Sequence, residues 1–125
     1  MENILSNKII GAAIEVHRSL GGPGLLESVY ESALCHELTL QGLKIQRQVP
    51  VQVTYKGIII KEPLYVDILV DNRVIIEVKA TEKHHPIYET QVLTYLRLTA
   101  IKLGLIINFG FNRIKEGISR IVNGL

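Results

Sequence analysis

The chain has 125 residues, of which 47% are hydrophobic and 21% are charged, and its formal net charge is +2. This ordinary globular balance predicts one domain over residues 1–125, and no apolar run approaches the roughly 20 residues that a membrane span needs. The slight positive charge permits a nucleic-acid partner without requiring one. The single cysteine, Cys35, excludes an internal disulfide and a cysteine-ligated zinc or iron–sulfur site. With no signal-peptide pattern at the N-terminus, we expect a reducing, cytoplasmic location.

Two helices are predicted first. Apolar residues recur with helical spacing through residues 3–20, and the sequence GGPG at 21–24 ends this helix. The segment LLESVYESALCHELTLQG predicts a second helix, with Gly42 as its C-terminal cap. Residues 44–55 then alternate as in a strand, and Pro50 indicates an edge or a bulge.

The rest of the chain predicts most of a sheet and a third helix. After the turn YKG comes a short strand, IIIKE, and residues 66–80 form two apolar strands around a polar turn. TEKHHP is a loop, IYETQVLTYLRLTAIKLG is a helix ending at Gly104, and LGLIINFG is a strand. The tail from Phe111 fits either a strand or a short helix. The order α-α-β-β-β-β-α-β predicts an α+β, or mixed α/β, domain whose helices cover a mostly antiparallel sheet.

Three charges interrupt the two apolar strands VDILV and VIIEVKA. Residues two apart in a strand share a face, so Glu77 and Lys79 point the same way. A three-residue turn over residues 71–73 pairs Val70 with Val74 and brings Asp67 opposite Glu77 on one face, whereas a two-residue turn separates them. We favour the three-residue turn, because it also stacks Leu69 against Ile75.

Two neighbouring carboxylates repel each other, and each is costly to bury alone. A divalent cation between Asp67 and Glu77 removes both costs, and hard oxygen ligands favour Mg²⁺ or Mn²⁺. Lys79, on the same face, is placed to neutralise charge or to orient a water. The alternative is a solvent-facing sheet on which Lys79 simply pairs with Glu77. The apolar flanks argue for a covered strand instead.

An Asp followed about ten residues later by E-V-K resembles the PD-(D/E)xK nuclease superfamily, although the Pro of that motif is displaced to Pro63. GLLESVY, residues 24–30, resembles the G-x-x-E-x-x-Y signature of a family of small proteins usually placed among these nuclease-like folds. QVLTY, residues 91–95, resembles the Q-x-x-x-Y motif of the exonuclease branch. The resemblance spans nearly the whole chain and implies a restriction-endonuclease-like core.

The resemblance also implies roles for further residues. Glu27 is expected to add a ligand or to hold a metal-bound water, although an acidic residue at a helix N-terminus is equally explained by the helix dipole. The backbone carbonyl of Val78 is expected to join Asp67 and Glu77 as a ligand. Tyr30 of the signature equally fits a core residue whose hydroxyl reaches a partner.

On the third helix, the predicted stripe of Gln91, Tyr95, Leu98 and Lys102 mixes amide, phenol and amine groups. Such groups are suited to contacts with phosphates, so Gln91, Tyr95 and Lys102 are the predicted substrate-binding residues. The alternative interpretation is a semi-exposed helix surface.

The expected function is hydrolysis of phosphodiester bonds in nucleic acid, DNA above RNA, with Asp67, Glu77, Lys79 and Glu27 as the catalytic residues and Mg²⁺ or Mn²⁺ as the cofactor. The alternative is a binding or protein-interaction module that keeps the fold without turnover. A homodimer, or a place in a larger complex, fits either interpretation.

Overall fold

The computed structural model describes residues 1–125. Its helices are α1 (Glu2–Ser19), α2 (Glu27–Leu40) and α3 (Pro86–Thr99). Its strands are β1 (Ile45–Tyr55), β2 (Ile58–Val70), β3 (Val74–Lys79), β4 (Leu103–Asn108) and β5 (Ile118–Val122), and a short 3₁₀ helix, Ile114–Gly117, precedes β5. None of the helices is both long and apolar enough to cross a membrane.

The five strands form one mixed sheet in the order β1-β2-β3-β4-β5. Only β3 and β4 run parallel, and the other three neighbouring pairs are antiparallel. Because parallel neighbours need a crossover connection, α3 lies between β3 and β4 in the chain. The predicted α+β fold, a mostly antiparallel mixed sheet flanked by helices, is confirmed.

The core lies on both faces of the sheet. On one face, α1 and α2 pack against apolar side chains of β2, β3 and β4, with Ile9, Leu34 and Ile76 fully buried. On the other face, α3 buries Val92 and Leu96 against the sheet. Each α-helix therefore presents one apolar stripe to the sheet, as amphipathic helices do.

Tyr30 occupies the core beneath α2, where its ring stacks on Phe109 with centroids 4.6 Å apart. Its hydroxyl donates a hydrogen bond to the carbonyl of Gly22 at 2.7 Å and accepts one from the backbone N–H of Leu25 at 3.1 Å. The hydroxyl thereby closes the GGPG turn onto α2. Tyr30 is thus a core residue with a satisfied hydroxyl, the second of its two interpretations.

The separate strand predicted for IIIKE is wrong, because these residues belong to the continuous strand β2. Lys56 and Gly57, both with positive φ, form a two-residue hairpin turn, and β1 is long enough to pair along β2. A register shift between Val51 and Val53 accommodates the region of Pro63, which has no N–H to donate. Pro50 lies in β1, an edge strand, as predicted.

Three other predicted boundaries also change. The second helix begins at Glu27 instead of residue 25, and the third helix ends at Thr99, where Ala100 adopts a left-handed φ of 61°. Gly104, predicted as the helix end, lies inside β4. The ambiguous tail contains both alternatives in turn, the 3₁₀ helix and then β5. Helix ends are weakly determined by local sequence, so such shifts are expected.

Candidate active site

The sheet opens at the point where Asp67 and Glu77 face each other. The predicted three-residue turn is confirmed, because Val70 pairs with Val74. The same register places Asp67 opposite Glu77, but the ladder between β2 and β3 ends one pair before them. Asp67 Oδ2 instead accepts a hydrogen bond from the backbone N–H of Val78 at 2.9 Å. A carboxylate thus takes the place of a backbone partner and leaves a polar gap between two buried strands.

Glu77 is the most deeply buried acid of this gap, with 5% of its surface exposed. Burial raises its pKa to about 8, and the negative charge of Asp67 adds to the increase, while the positive charge of Lys79 opposes it. Its Oε1 is buried and has no hydrogen-bond partner. A buried carboxylate oxygen without a donor is rare in folded proteins and indicates a position for a proton or a cation.

Lys79 follows Glu77 on the same face, with its Nζ 3.7 Å from Glu77 Oε2. The ammonium also lies 4.6 Å from the centre of the Tyr88 ring, which comes from α3. Only 15% of the Lys79 side chain and 7% of the Glu77 side chain are exposed. Lys79 and Glu77 therefore form the ion pair of the alternative interpretation, but this interpretation is wrong that the pair faces solvent.

Asp67 is half-buried, and its pKa is raised, chiefly because burial disfavours the charged form. The hydrogen bond from Val78 opposes this increase, and the charge of Glu31 adds to it. Its Oδ1 lies 3.4 Å from Nε2 of Gln48, on the neighbouring edge strand. Each oxygen of Asp67 thus has one donor, which leaves a lone pair on each for a further partner.

Glu27 stands in the first turn of α2 and is exposed to solvent. Partial desolvation of its carboxyl raises its pKa, the charges of Asp67 and Glu31 add to the increase, and the charge of Lys79 opposes it. Asp67 lies on β2 and Lys79 on β3, so their effect on Glu27 indicates that the N-terminus of α2 adjoins the Asp67–Glu77 gap. The helix dipole at this N-terminus opposes the increase, because it favours a negative charge in the first turn.

The helix α3 brings Gln91 and Tyr95 to the face that carries Glu77. Tyr95 is buried, and burial followed by the charges of Glu77 and Asp67 raises its pKa to about 12. Its hydroxyl is therefore neutral at physiological pH and available as a donor. Gln91 is half-buried, and its Oε1 is buried without a partner. The Q-x-x-x-Y pair thus adds two polar groups beside the acids.

Lys102 does not belong to this stripe, because α3 ends at Thr99 and Lys102 lies in the exposed connection to β4. The next residue, Leu103, pairs with Val74, at the opposite end of β3 from Lys79. Val74 and Lys79 are five residue steps apart along β3, which is about 16 Å at 3.3 Å per residue. The predicted grouping of Lys102 with Gln91 and Tyr95 is therefore wrong.

Sequence patterns missed a second layer of polar residues behind Asp67. Glu31 is buried on α2, and it accepts hydrogen bonds from Arg47 Nη2 at 2.9 Å and from Gln48 Nε2 at 3.3 Å. Glu31 follows Glu27 by one helical turn, and this spacing was an available signal. Arg47 and Gln48 reach the site only because β1 pairs with β2, and no local pattern marks them.

The residues fit a divalent cation by their chemistry. Asp67 and Glu77 offer hard carboxylate oxygens, burial and neighbouring acids raise the pKa of both, and Glu77 Oε1 is without a donor. As the side chains stand, no group of three or more His, Cys, Asp or Glu residues converges closely enough to hold an ion. The pair Asp67 and Glu77 is accordingly the centre of the candidate site, and Glu27 lies at its edge.

A cleft of about 690 Å³ begins just beyond Lys79, past the ends of β3 and β4. It is lined by residues 23–25 and 110–112 together with Ala80, Glu82 and Glu116. Its two charged residues are both acidic, so it offers no cation to a phosphate. The cleft therefore adjoins the candidate site without forming part of it.

Comparison with known proteins supports one family. A model of the PD-(D/E)XK nuclease superfamily matches residues 3–121, from α1 into β5. No curated protein and no solved structure is significantly similar to the chain. The matched region includes the sheet opening and all of its charged residues. With almost the whole chain covered by this match, the protein belongs to the PD-(D/E)XK nuclease superfamily.

Proposed function

We propose that this protein is a metal-dependent nuclease that hydrolyses phosphodiester bonds of nucleic acid, with DNA as the first substrate to test. The observation that carries the proposal is the buried carboxylate of Glu77, whose Oε1 has no partner, beside Asp67 and Lys79 in the sheet opening. A buried carboxylate without a partner destabilises a packed core, so its presence favours a functional role. The chain also belongs to a nuclease superfamily.

In this proposal Asp67, Glu77 and the backbone carbonyl of Val78 hold Mg²⁺ or Mn²⁺. The bound ion supplies positive charge that stabilises the phosphate during displacement and acidifies the attacking water. Glu27, at the edge of the site, adds a ligand or holds a water. The hydrogen bond from Val78 N–H to Asp67 Oδ2 fixes this carboxylate against the strand that carries the other ligands.

Lys79 positions the attacking water or stabilises negative charge that develops on the phosphate. The contact with Tyr88 and the proximity of Glu77 hold its ammonium in the site. The water gives up a proton as its oxygen bonds to phosphorus, one P–O ester bond breaks, and the leaving oxygen takes up a proton. Gln91 and Tyr95, whose side chains adjoin the acids, contact the substrate backbone or support the ligands.

The narrower resemblance to the G-x-x-E-x-x-Y family belongs to the same proposal. The GLL part of the signature is tied to α2 through the hydroxyl of Tyr30, and Glu27 stands next to it. In this proposal, the Gly and Tyr of the motif hold the start of α2 in place, so that Glu27 lies near the sheet opening. Association with a second copy or with a larger complex remains a prediction.

Lys79→Ala is the experiment that separates an enzyme from a binding module. We expect cleavage of DNA with Mg²⁺ or Mn²⁺ to fall by roughly two to three orders of magnitude, the loss typical of one preorganised stabilising group. Affinity for the same DNA should change little, because one lost charge alters the salt slope of binding by about one unit at most. Cleavage and binding are measured on duplex DNA, single-stranded DNA and RNA.

The matched control is Lys102→Ala, which removes an exposed lysine at the opposite end of the sheet. This variant should retain the cleavage rate of the wild type. If the wild type binds nucleic acid but cleaves no substrate, and Lys79→Ala behaves identically, the protein is a binding module. Equal losses in both lysine variants would show that only overall charge matters.

A further inference from the structure

We propose that Gln48 is a positioning residue, which orients the Asp67 carboxylate for a divalent cation. The inference deepens the proposed function and rests on it. Gln48 lies on the edge strand β1, outside every motif of the chain. It acts through Asp67 and does not itself contact the ion.

The sheet register places Gln48 directly beside Asp67. The pairs Arg47 with Ile68 and Val49 with Val66 flank this position, so Gln48 is the residue across from Asp67. Its Nε2 lies 3.4 Å from Asp67 Oδ1, while Asp67 Oδ2 is held by Val78 N–H. The carboxylate is thus held from both neighbouring strands, which determines the direction of its free lone pairs.

The amide of Gln48 is itself anchored to a buried acid. Its Nε2 lies 3.3 Å from Oε2 of Glu31, of which 7% is exposed. Arg47 donates to the same Oε2 at 2.9 Å and compensates the charge of Glu31. One amide group with two protons therefore bridges Glu31 and Asp67, two acids that otherwise repel each other. A side chain without donors leaves both acids facing each other.

The backbone at Gln48 is strained where β1 changes faces, since Ile45 packs against the core of α1 and α2 while Val51 packs on the side of α3. The φ of Gln48 is 48°, in the left-handed region that residues other than glycine seldom adopt in a strand. The Gln48 side chain itself is exposed at the surface, so its own burial does not offset this strain. Strained residues of this kind concentrate at functional sites, where the surrounding structure maintains them. The unusual φ places the amide between Glu31 and Asp67.

The test measures Mn²⁺ affinity by titration calorimetry and thermal stability in Gln48→Gly, Gln48→Ala and the control Gln46→Ala. Gln46 is an exposed glutamine two residues earlier on β1. We expect both Gln48 variants to lose about 10-fold to 100-fold in Mn²⁺ affinity, the loss typical of removing a group that orients a ligand. Gln48→Gly should melt at a higher temperature than Gln48→Ala, because both variants lose the amide between the two acids but only glycine adopts positive φ without strain.

The comparison of the two Gln48 variants makes the test decisive, since they should lose the same Mn²⁺ affinity while differing in stability. The proposal is overturned if Gln48→Gly and Gln46→Ala both bind Mn²⁺ like the wild type. It is also overturned if the wild type binds no Mn²⁺, or if the loss of affinity in the two Gln48 variants follows their loss of stability. A wild type that binds Mn²⁺ but cleaves nothing contradicts the proposed nuclease, while the loss of Mn²⁺ affinity in Gln48→Gly still supports this role of Gln48.

Discussion

At the scale of single residues, Glu77 shows what a charged site costs the fold. Its carboxylate lies in β3, where Val74, Ile75, Ile76 and Val78 are all buried apolar residues. Burial raises the pKa of Glu77 to about 8. The positive charge of Lys79, whose Nζ lies 3.7 Å from Glu77 Oε2, does not fully offset the cost of burying this carboxylate. A residue chosen for stability alone would be apolar here. The cost is consistent with a role in binding a cation.

The pH dependence of stability tests this cost in metal-free protein. Because the folded-state pKa of Glu77 lies above its ordinary value of 4.5, folding favours the protonated carboxyl. Its contribution to the free energy of unfolding is therefore fully present below about pH 4.5 and is lost as the pH rises through 8. Glu77→Gln removes this loss. Relative to the wild type, the variant should gain stability from pH 5 to pH 9, by up to about 4 kcal/mol at 1.4 kcal/mol per pKa unit.

Urea unfolding at several pH values in EDTA measures this gain. The control is Glu62→Gln, which changes an exposed glutamate on β2 and should show no such trend. A stability difference between Glu77→Gln and the wild type that stays constant with pH would contradict the burial of a titrating carboxylate.

At the scale of elements, the position of α3 depends on one glycine of β4. A Cβ at Gly104 would overlap Cγ1 of Val92, on the buried side of α3. Val92 has little freedom to move away, because a β-branched side chain in a helix has one strongly preferred rotamer. The close approach of helix and strand at this point therefore depends on the absence of a side chain at position 104.

We expect Gly104→Ala to destabilise the protein by about 1–3 kcal/mol, as overpacking of a core typically does. Adding Val92→Ala makes room for the new methyl group, so the double variant should be more stable than the sum of the two single changes predicts. Unfolding by urea measures the cycle. Gly11→Ala is the control, because a Cβ at Gly11 would meet nothing within 4 Å and alanine favours a helix interior. A fully additive cycle would contradict the overlap with Val92.

At the scale of the whole molecule, the two cores and the open gap between β2 and β3 have different roles. The helices bury apolar residues on both faces of the sheet, while the charged residues gather where the ladder of β2 and β3 ends. At the far end of the β1–β2 hairpin, several apolar side chains remain exposed, namely Tyr55, Ile58, Ile59 and Ile60. Exposed apolar groups of this extent are a surface that protein partners commonly use.

Binding of a cation should stabilise the whole fold, because the ion binds the folded chain and not the unfolded one. At a Mg²⁺ or Mn²⁺ concentration one hundred times the dissociation constant, the gain is about 2.7 kcal/mol. The melting temperature should rise accordingly, and the variant carrying both Asp67→Asn and Glu77→Gln should show no rise. Calorimetric scans with and without the ion measure the shift. A shift that survives in the double variant would place the ion elsewhere.

Local pattern was enough for part of this structure. The parity of strands, a property of neighbouring residues, placed Glu77 and Lys79 on one face, and the three-residue turn brought Asp67 opposite Glu77. The helical spacing of apolar residues gave all three α-helices. It did not give their ends, since Ala100 ends α3 through a left-handed φ that its residue type does not indicate.

The rest depended on contacts between residues distant in the chain. The length of β2, and the loss of ladder pairing at Asp67, follow from pairing with β1 and β3 together. Lys102 does not belong to the site, because α3 ends at Thr99 and the start of β4 lies beside the start of β3. Glu31 and Gln48 belong to the site because α2 and the edge strand β1 meet beside Asp67. The sequence alone therefore determined the fold class and the three central charges, Asp67, Glu77 and Lys79. Only the tertiary structure decided which other groups surround them, because no local pattern records which distant strand or helix will lie beside these residues.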